Sequence, residues 1–110
     1  MARREAMPDE LSVLVAERFK ALADPARIRL LSALRDGERA VGDLVEATGL
    51  AQANVSKHLA RLHDLGFVSR RREGLFILYK LADRDVLKLC EIMCGRIEAE
   101  TDTRRRLFPA

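Results

Sequence analysis

The chain has 110 residues, 48% of them apolar but only five of them aromatic, and a formal net charge of +3. This length suits a single domain, residues 1–110, and the scarcity of aromatic residues argues against a β-sandwich. No apolar run approaches the ~20 residues that cross a membrane, and the first residues lack the apolar core of a signal peptide. We therefore expect a mainly helical, cytoplasmic domain with no membrane partner.

The first two predicted helices have apolar residues along one face. The first covers residues 9–22, and its acidic start suits the positive end of a helix. Asp24 and Pro25 are typical of the N-cap and first position of the second helix, which is expected to stop at Gly37. The arginines of this second helix are expected to face solvent or to pair with acidic residues; they are Arg27, Arg29 and Arg35.

Residues 40–66 have the pattern of two short helices joined by a tight turn at Gly49, which is typical of a helix-turn-helix. In the second of these helices the apolar residues recur at steps of three and four, so one stripe faces a core. The polar residues point outward, where such a helix enters the major groove of DNA. The candidate DNA contacts on this helix are Gln52, Asn54, Ser56, Lys57, His58 and Arg61. For His58, which lies nearer the core side, a packed or backbone-bonded histidine competes with a base-reading one.

Residues 67–80 have the sequence pattern of a β-hairpin, two strand-forming runs with a turn at Glu73 and Gly74. Two strands are not stable alone, so the hairpin should pack on the helices through residues such as Phe67, Phe76 and Leu78. Residues 51–80 hold six lysines and arginines against two acidic residues, whereas residues 1–50 hold eight against nine. The excess positive charge therefore falls on the second helix of the pair and on the hairpin, as expected for a surface that faces phosphates. The candidate phosphate contacts of the hairpin are Arg70, Arg71 and Arg72.

The last predicted helix covers residues 83–101 and is followed by a flexible tail, residues 102–110. Its apolar stripe is too wide for a lone surface helix, and together with residues 9–22 it predicts a two-fold homodimer. The expected interface residues are Leu14, Phe19, Leu87, Met93 and Ile97. Cys90 and Cys94 lie four apart and so on one face of this helix. They are either packing residues or a thiol site that binds a soft metalloid or is oxidised.

Over residues 22–81 the sequence resembles the ArsR/SmtB family of metal- and stress-responsive winged-helix repressors. Three stretches carry the resemblance, namely LADPAR at 22–27, VSKHL at 55–59 and RREG at 71–74. The resemblance implies a winged helix-turn-helix, mainly α with a small β-hairpin, in the order α-α-α-α-β-β-α, that forms a homodimer through its first and last helices. It also implies a sequence-specific repressor that leaves an inverted-repeat operator on an inducing signal.

The metal sites that the resemblance implies are not carried over to this chain. At their ligand positions this chain has Ala40, Gly42, Asp85, Arg96 and Ala99, so that of the second site only Asp83 remains. A zinc, cobalt or nickel sensor through these positions is not expected. We expect no required cofactor, and the candidate inducer is arsenite, another soft metal or metalloid, or an oxidant acting at Cys90 and Cys94.

No catalytic motif is present, and the two histidines, His58 and His63, are five residues apart and do not share a helix face. An enzyme is therefore not expected. The expected function is a homodimeric transcriptional repressor that binds double-stranded DNA. Two alternatives stay open, a winged-helix module that uses the same helix for protein contacts and a constitutive repressor without a metal-sensing role.

Overall fold

The computed structural model describes residues 6–108, which form five helices and three short strands. The helices are α1 (Asp9–Leu22), α2 (Pro25–Ala33), α3 (Val41–Thr48), α4 (Gln52–Asp64) and α5 (Arg84–Leu107). The strands are β1 (Arg39–Ala40), β2 (Val68–Glu73) and β3 (Phe76–Leu81). The protein is thus mainly helical, with a small sheet made of β1, which precedes α3, and of β2 and β3, which lie between α4 and α5 in the chain.

Helix α2 begins as the sequence predicts. The Asp24 carboxylate accepts hydrogen bonds from the backbone N–H groups of Ala26 and Arg27, at 2.8 Å and 3.3 Å, and Pro25 takes the first helical position, where no N–H is needed. The helix ends at Ala33 rather than at Gly37. Gly37 lies in the following turn, with a φ of 137°.

Helices α3 and α4 form the predicted pair around a tight turn. Gly49 adopts the left-handed conformation, with a φ of 72°, and its N–H donates to the Val45 carbonyl at 2.8 Å. The Thr48 hydroxyl donates to the Leu44 carbonyl at 2.6 Å and accepts from the Leu50 N–H at 3.3 Å. The bond from Gly49 satisfies the Val45 carbonyl, one of the four that the end of α3 leaves without helical partners.

The hairpin belongs to a three-stranded antiparallel sheet in the order β1-β3-β2. Arg39 and Ala40 of β1 lie opposite Tyr79 and Leu78 of β3. The sequence predicts only the two hairpin strands, because a strand of two residues is too short for alternation to reveal. Since Ala40 is also the N-cap of α3, β1 joins the sheet directly to the helix pair.

The core lies where α2, α3 and α4 meet. Its largest completely buried side chains are Leu30, Leu31, Leu34, Leu44, Val55, Leu59 and Leu62. The hairpin covers one side of this cluster with Phe67, Val68, Tyr79 and Leu81. The expectation that Phe76 packs on the helices is wrong, since it is 64% exposed and lies opposite Glu73 at the turn end of the hairpin.

Helix α5 is longer than predicted. The flexible tail expected from residue 102 is wrong as far as Leu107, because the helix continues to that residue; residues 109–110 lie outside the described residues. The Thr101 and Thr103 hydroxyls donate to the carbonyls of Ile97 and Ala99 within this helix, each at 2.9 Å. The prediction rests on the run of arginines and the terminal proline, but arginine is a good helix former, and Arg104, Arg105 and Arg106 form the last turn of the helix.

Helices α1 and α5 leave large apolar side chains exposed, which are Val13, Leu14, Phe19, Leu89, Ile92, Met93, Ile97 and Leu107. Leu87, which the sequence assigned to a dimer interface, is only 3% exposed and belongs to the core of the chain. Within residues 6–108, no helix has the length and apolar character needed to cross a membrane.

Candidate nucleic-acid interface

Helix α4 has one buried side and one open side. Val55, Leu59 and Leu62 are completely buried and hold the helix against the core. The open side, called here the α4 face, consists of Gln52, Asn54, Ser56, Lys57 and Arg61, all exposed. Ala51 gives no side-chain cap, so the first-turn N–H groups of α4 also remain open to an acceptor. A helix held in this way presents polar side chains and backbone donors outward.

Arg29 has a structural role rather than a place in the interface. Its Nη2 donates to the Thr48 carbonyl at the end of α3. This bond satisfies a carbonyl that the helix end leaves open, and it ties α2 to the turn before α4.

His58 differs from the other candidate contacts on α4, because it is half-buried and bonded to the protein. Its Nδ1 accepts a hydrogen bond from Nε of Arg27 at 3.1 Å. The sequence is compatible with either a packed or a base-reading His58, and the bond places His58 between the core and the α4 face. The partner, Arg27 on α2, was expected only to face solvent or to pair with an acid.

Among residues 6–108, Arg71 is paired with acidic residues, unlike the other two candidate phosphate contacts of the hairpin. Its Nε and Nη2 donate to the two carboxylate oxygens of Glu38, at 2.8 Å and 2.6 Å, and Nη2 also lies 2.8 Å from a Glu73 oxygen. The hydrogen bond from Arg71 lowers the pKa of Glu38, and the same bond raises the pKa of Arg71. The charge of Arg71 is therefore neutralised within the protein.

Arg70 and Arg72 lie on the opposite face of β2 from Arg71, because side chains alternate along a strand. Both are exposed. Among residues 6–108, neither they nor Lys57 and Arg61 form an ion pair. Four unpaired cations thus lie on α4 and β2, the elements that sequence analysis assigned to DNA.

Glu38 was missed because it stands just before β1. No periodic pattern marks a two-residue strand, and the partner Arg71 is 33 residues away in the sequence. The only local signal is the acidic residue itself, which does not name its partner.

Cys90 and Cys94 line a surface cavity of about 300 Å³ between α2 and α5, together with Ser32, Arg35 and Glu98 among others. Burial raises the pKa of the Cys90 thiol, and a hydrogen bond to Glu98, 3.4 Å from Sγ, raises that of Cys94. Both thiols are therefore protonated at neutral pH. Over residues 6–108, no cluster of three or more histidine, cysteine or acidic side chains is placed to hold a metal ion.

Two helices joined by a tight turn and followed by a β-hairpin define a winged helix-turn-helix, a class of DNA-binding domain. Residues 24–70 match the model of the family described as bacterial regulatory protein, arsR family. A probable mercury resistance operon repressor of Streptomyces lividans is 45% identical over 71 residues, which are 64% of this chain but 57% of that protein. The chain thus spans less than two thirds of that relative. The uncharacterised regulator Rv0081 of Mycobacterium tuberculosis is 40% identical over 85 residues, 76% of this chain and 75% of that one.

Solved structures give the same result. The crystal structure of Rv0081 superposes with a TM-score of 0.76 at 36% identity, covering 90% of this chain and 98% of that one. The antimony-specific repressor AntR gives a TM-score of 0.78 at 36% identity over 92% of this chain and 93% of that one. A homodimeric domain of Mb0332 from Mycobacterium bovis gives 0.72 at 35% identity over 89% and 91%. The chain belongs to the ArsR/SmtB family of transcriptional regulators. These relatives are regulators and not enzymes, in agreement with the sequence analysis.

Proposed function

We propose that the protein is a homodimeric transcriptional repressor that binds an inverted-repeat operator in double-stranded DNA. The main support is the α4 face, whose side chains form no hydrogen bond or ion pair with the protein among residues 6–108. In a winged helix-turn-helix this helix enters the major groove. Gln52, Asn54, Ser56 and Lys57, in its first half, contact base edges or phosphates.

Phosphate contacts in this proposal come from Arg61, Arg70 and Arg72, the exposed arginines of α4 and β2 that form no ion pair among residues 6–108. Arg71 is left out because Glu38 and Glu73 already neutralise it. Base contacts then give sequence preference, and the arginines give affinity that depends on salt.

The proposed dimer interface consists of the exposed apolar residues of α1 and α5. Leu14, Phe19, Met93 and Ile97 are 49%, 54%, 61% and 55% exposed in the single chain. Exposed apolar patches of this kind are typical of protein–protein interfaces. The homodimeric Mb0332 domain supports a homodimer, without indicating which helices form its interface. Two-fold symmetry then places the two α4 helices about one turn of DNA, roughly 34 Å, apart.

For the inducing signal we propose a thiophilic metalloid such as arsenite, bound at Cys90 and Cys94 with a further ligand from the second protomer. Protonated thiols react slowly with oxidants, which favours the metalloid over thiol oxidation. A neutral metalloid hydroxide exchanges each hydroxyl for a thiol, and the thiol proton leaves with that hydroxyl as water. The names of the mercury operon repressor and of AntR show that relatives respond to soft elements.

The function is tested by selecting bound sequences from random duplex DNA with the purified protein, at two salt concentrations. Recovery of an inverted repeat, with affinity that falls as salt rises, is expected. Affinity that is insensitive to salt would favour the alternative, a module for protein contacts. The inducer is tested by release of the selected duplex on adding arsenite, with Cys90→Ser and Cys94→Ser as matched variants. Equal release in all three proteins, or no release in any, would exclude the thiols as the sensor.

A further inference from the structure

Three helices meet at the guanidinium of Arg27. This half-buried residue lies in the first turn of α2. Its Nε donates to Nδ1 of His58 on α4 at 3.1 Å, and its Nη1 donates to the carbonyl of Ala21, near the end of α1, at 3.0 Å. One rigid, planar group therefore connects the end of α1 to the middle of α4.

The bond from Arg27 determines the protonation of the His58 ring. Arginine offers only donors, so Nδ1 of His58 must be the acceptor and carries no proton. In the neutral ring the proton is then on Nε2. Nε2 forms no hydrogen bond with the protein among residues 6–108, and the neighbouring Lys57 belongs to the exposed α4 face. The ring thus keeps one donor for a partner outside the chain.

We propose that Arg27 is a positioning residue for DNA binding, which holds His58 so that its Nε2–H donates to an acceptor atom of the DNA. The proposal rests on the proposed function of α4 as the DNA-binding helix. Arg27 acts through His58 and does not itself contact DNA. Two N–H groups on different edges of the planar guanidinium reach two separate acceptors at once, a geometry that the single ammonium of lysine does not reproduce.

Asp24 is the acidic residue next to this pair. Burial by itself would raise the pKa of the Asp24 carboxyl, but hydrogen bonds from the N–H groups of Arg27 and Ala26 and the charge of Arg27 lower it. Asp24 therefore stays ionised at neutral pH and offsets the charge of Arg27. This local compensation supports a structural use of Arg27 rather than a phosphate contact.

Arg27→Lys separates positioning from charge, because lysine keeps the positive charge but cannot make the hydrogen bonds to His58 and to the Ala21 carbonyl at the same time. We expect it to weaken binding to the selected duplex about tenfold, the size typical of losing a hydrogen bond to a charged group. Arg29→Lys is the matched control on the same helix, since Arg29 bonds the Thr48 carbonyl and not His58; it should change affinity less than about threefold. Full affinity in Arg27→Lys would overturn the proposal.

Two substitutions at His58 test the same donor without altering Arg27. His58→Gln provides an acceptor and a donor, so it should retain affinity within about threefold, whereas His58→Leu should lose about tenfold. In the His58→Leu protein, Arg27→Lys should add less than about twofold, because the two residues act as a unit. Additive losses, or equal affinity of the Gln and Leu variants, would refute the mechanism.

Nuclear magnetic resonance of the wild-type protein without DNA tests the contact independently of any variant. The Arg27 Nε–H should show scalar coupling across its hydrogen bond to Nδ1 of His58, because that nitrogen accepts the proton. The Arg29 Nε–H should show no such coupling, because the Arg29 guanidinium bonds the Thr48 carbonyl. If the Arg27 Nε–H shows no coupling to His58, the inference is refuted even if the protein binds DNA. If the coupling is present but the protein binds no duplex, the proposed function is refuted, and with it the role of the His58 donor.

Discussion

The hairpin arginines give the sharpest quantitative prediction, because the structure divides three adjacent cations into two classes. Arg70 and Arg72 have no ion-pair partner among residues 6–108, and Arg71 is bonded to Glu38 and Glu73. We therefore expect Arg72→Gln to remove a phosphate contact and Arg71 to make none. Because Arg71→Gln alone would expose two carboxylates to DNA, the matched variant is the charge-neutral double substitution Glu38→Gln with Arg71→Gln.

The expected magnitude follows from counterion release. Each phosphate contact contributes about 0.9 to the slope of log affinity against log salt concentration, and a dimer presents each residue twice. Arg72→Gln should therefore reduce the magnitude of the slope by about 1.8. Over a fourfold increase in salt, the variant should lose about 12-fold less affinity than the wild type loses. Arg70→Gln is expected to behave in the same way.

The assay is fluorescence anisotropy with the selected duplex at about four salt concentrations, and thermal unfolding checks that each variant is folded. The Glu38→Gln, Arg71→Gln double variant should keep the wild-type slope within about 0.5. If its slope instead falls by about 1.8, Arg71 leaves its acidic partners to bind phosphate, and the division of the three arginines is wrong.

Three further predictions concern the core, the dimer and the cap of α2. Leu59→Ala removes a completely buried side chain and should lower the free energy of unfolding by about 2–5 kcal/mol, measured by urea denaturation. Phe19→Glu together with Met93→Glu should give a folded monomer in analytical ultracentrifugation, and a persistent dimer would contradict the proposed interface. In the folded protein the pKa of Asp24 lies below its ordinary value of 3.8. The ionised carboxylate therefore contributes fully to the stability of the fold above pH 3.8, and this contribution is lost as the pH falls through the lowered folded-state pKa. The difference in thermal midpoint between wild type and Asp24→Asn should therefore stay constant from about pH 7 to 5 and narrow below 3.8.

The helix boundaries that the sequence predicts correctly depend on local chemistry. Asp24 and Pro25 cap α2 with bonds to residues two and three positions away. Gly49 ends α3 through its own backbone angle. Such signals are contained in a few consecutive residues, and so they can be read without knowing the rest of the fold.

The features that sequence analysis missed depend on pairing between distant residues. Arg71 looks identical to Arg70 and Arg72 until β1 brings Glu38 beside it. Phe76 and Tyr79 are both plausible core residues, and only the register of β3 places Phe76 at the turn and Tyr79 over the core. The bond from Arg27 to His58 spans 31 residues and needs α2 packed on α4. Composition and periodicity describe one element at a time and contain no information on these partners.

In the proposed DNA complex, the short strand β1 fixes the position of the hairpin relative to the helix pair. Its residues pair with β3 and run straight into α3, so the hairpin and the helix pair are joined at a hydrogen-bonded junction rather than by a loose loop. The distance between the hairpin arginines and α4 is therefore set when the protein folds. Little conformational entropy is therefore lost when the hairpin and α4 both contact the DNA. Once one of these two elements is bound, it holds the other near its DNA contacts at a high effective concentration.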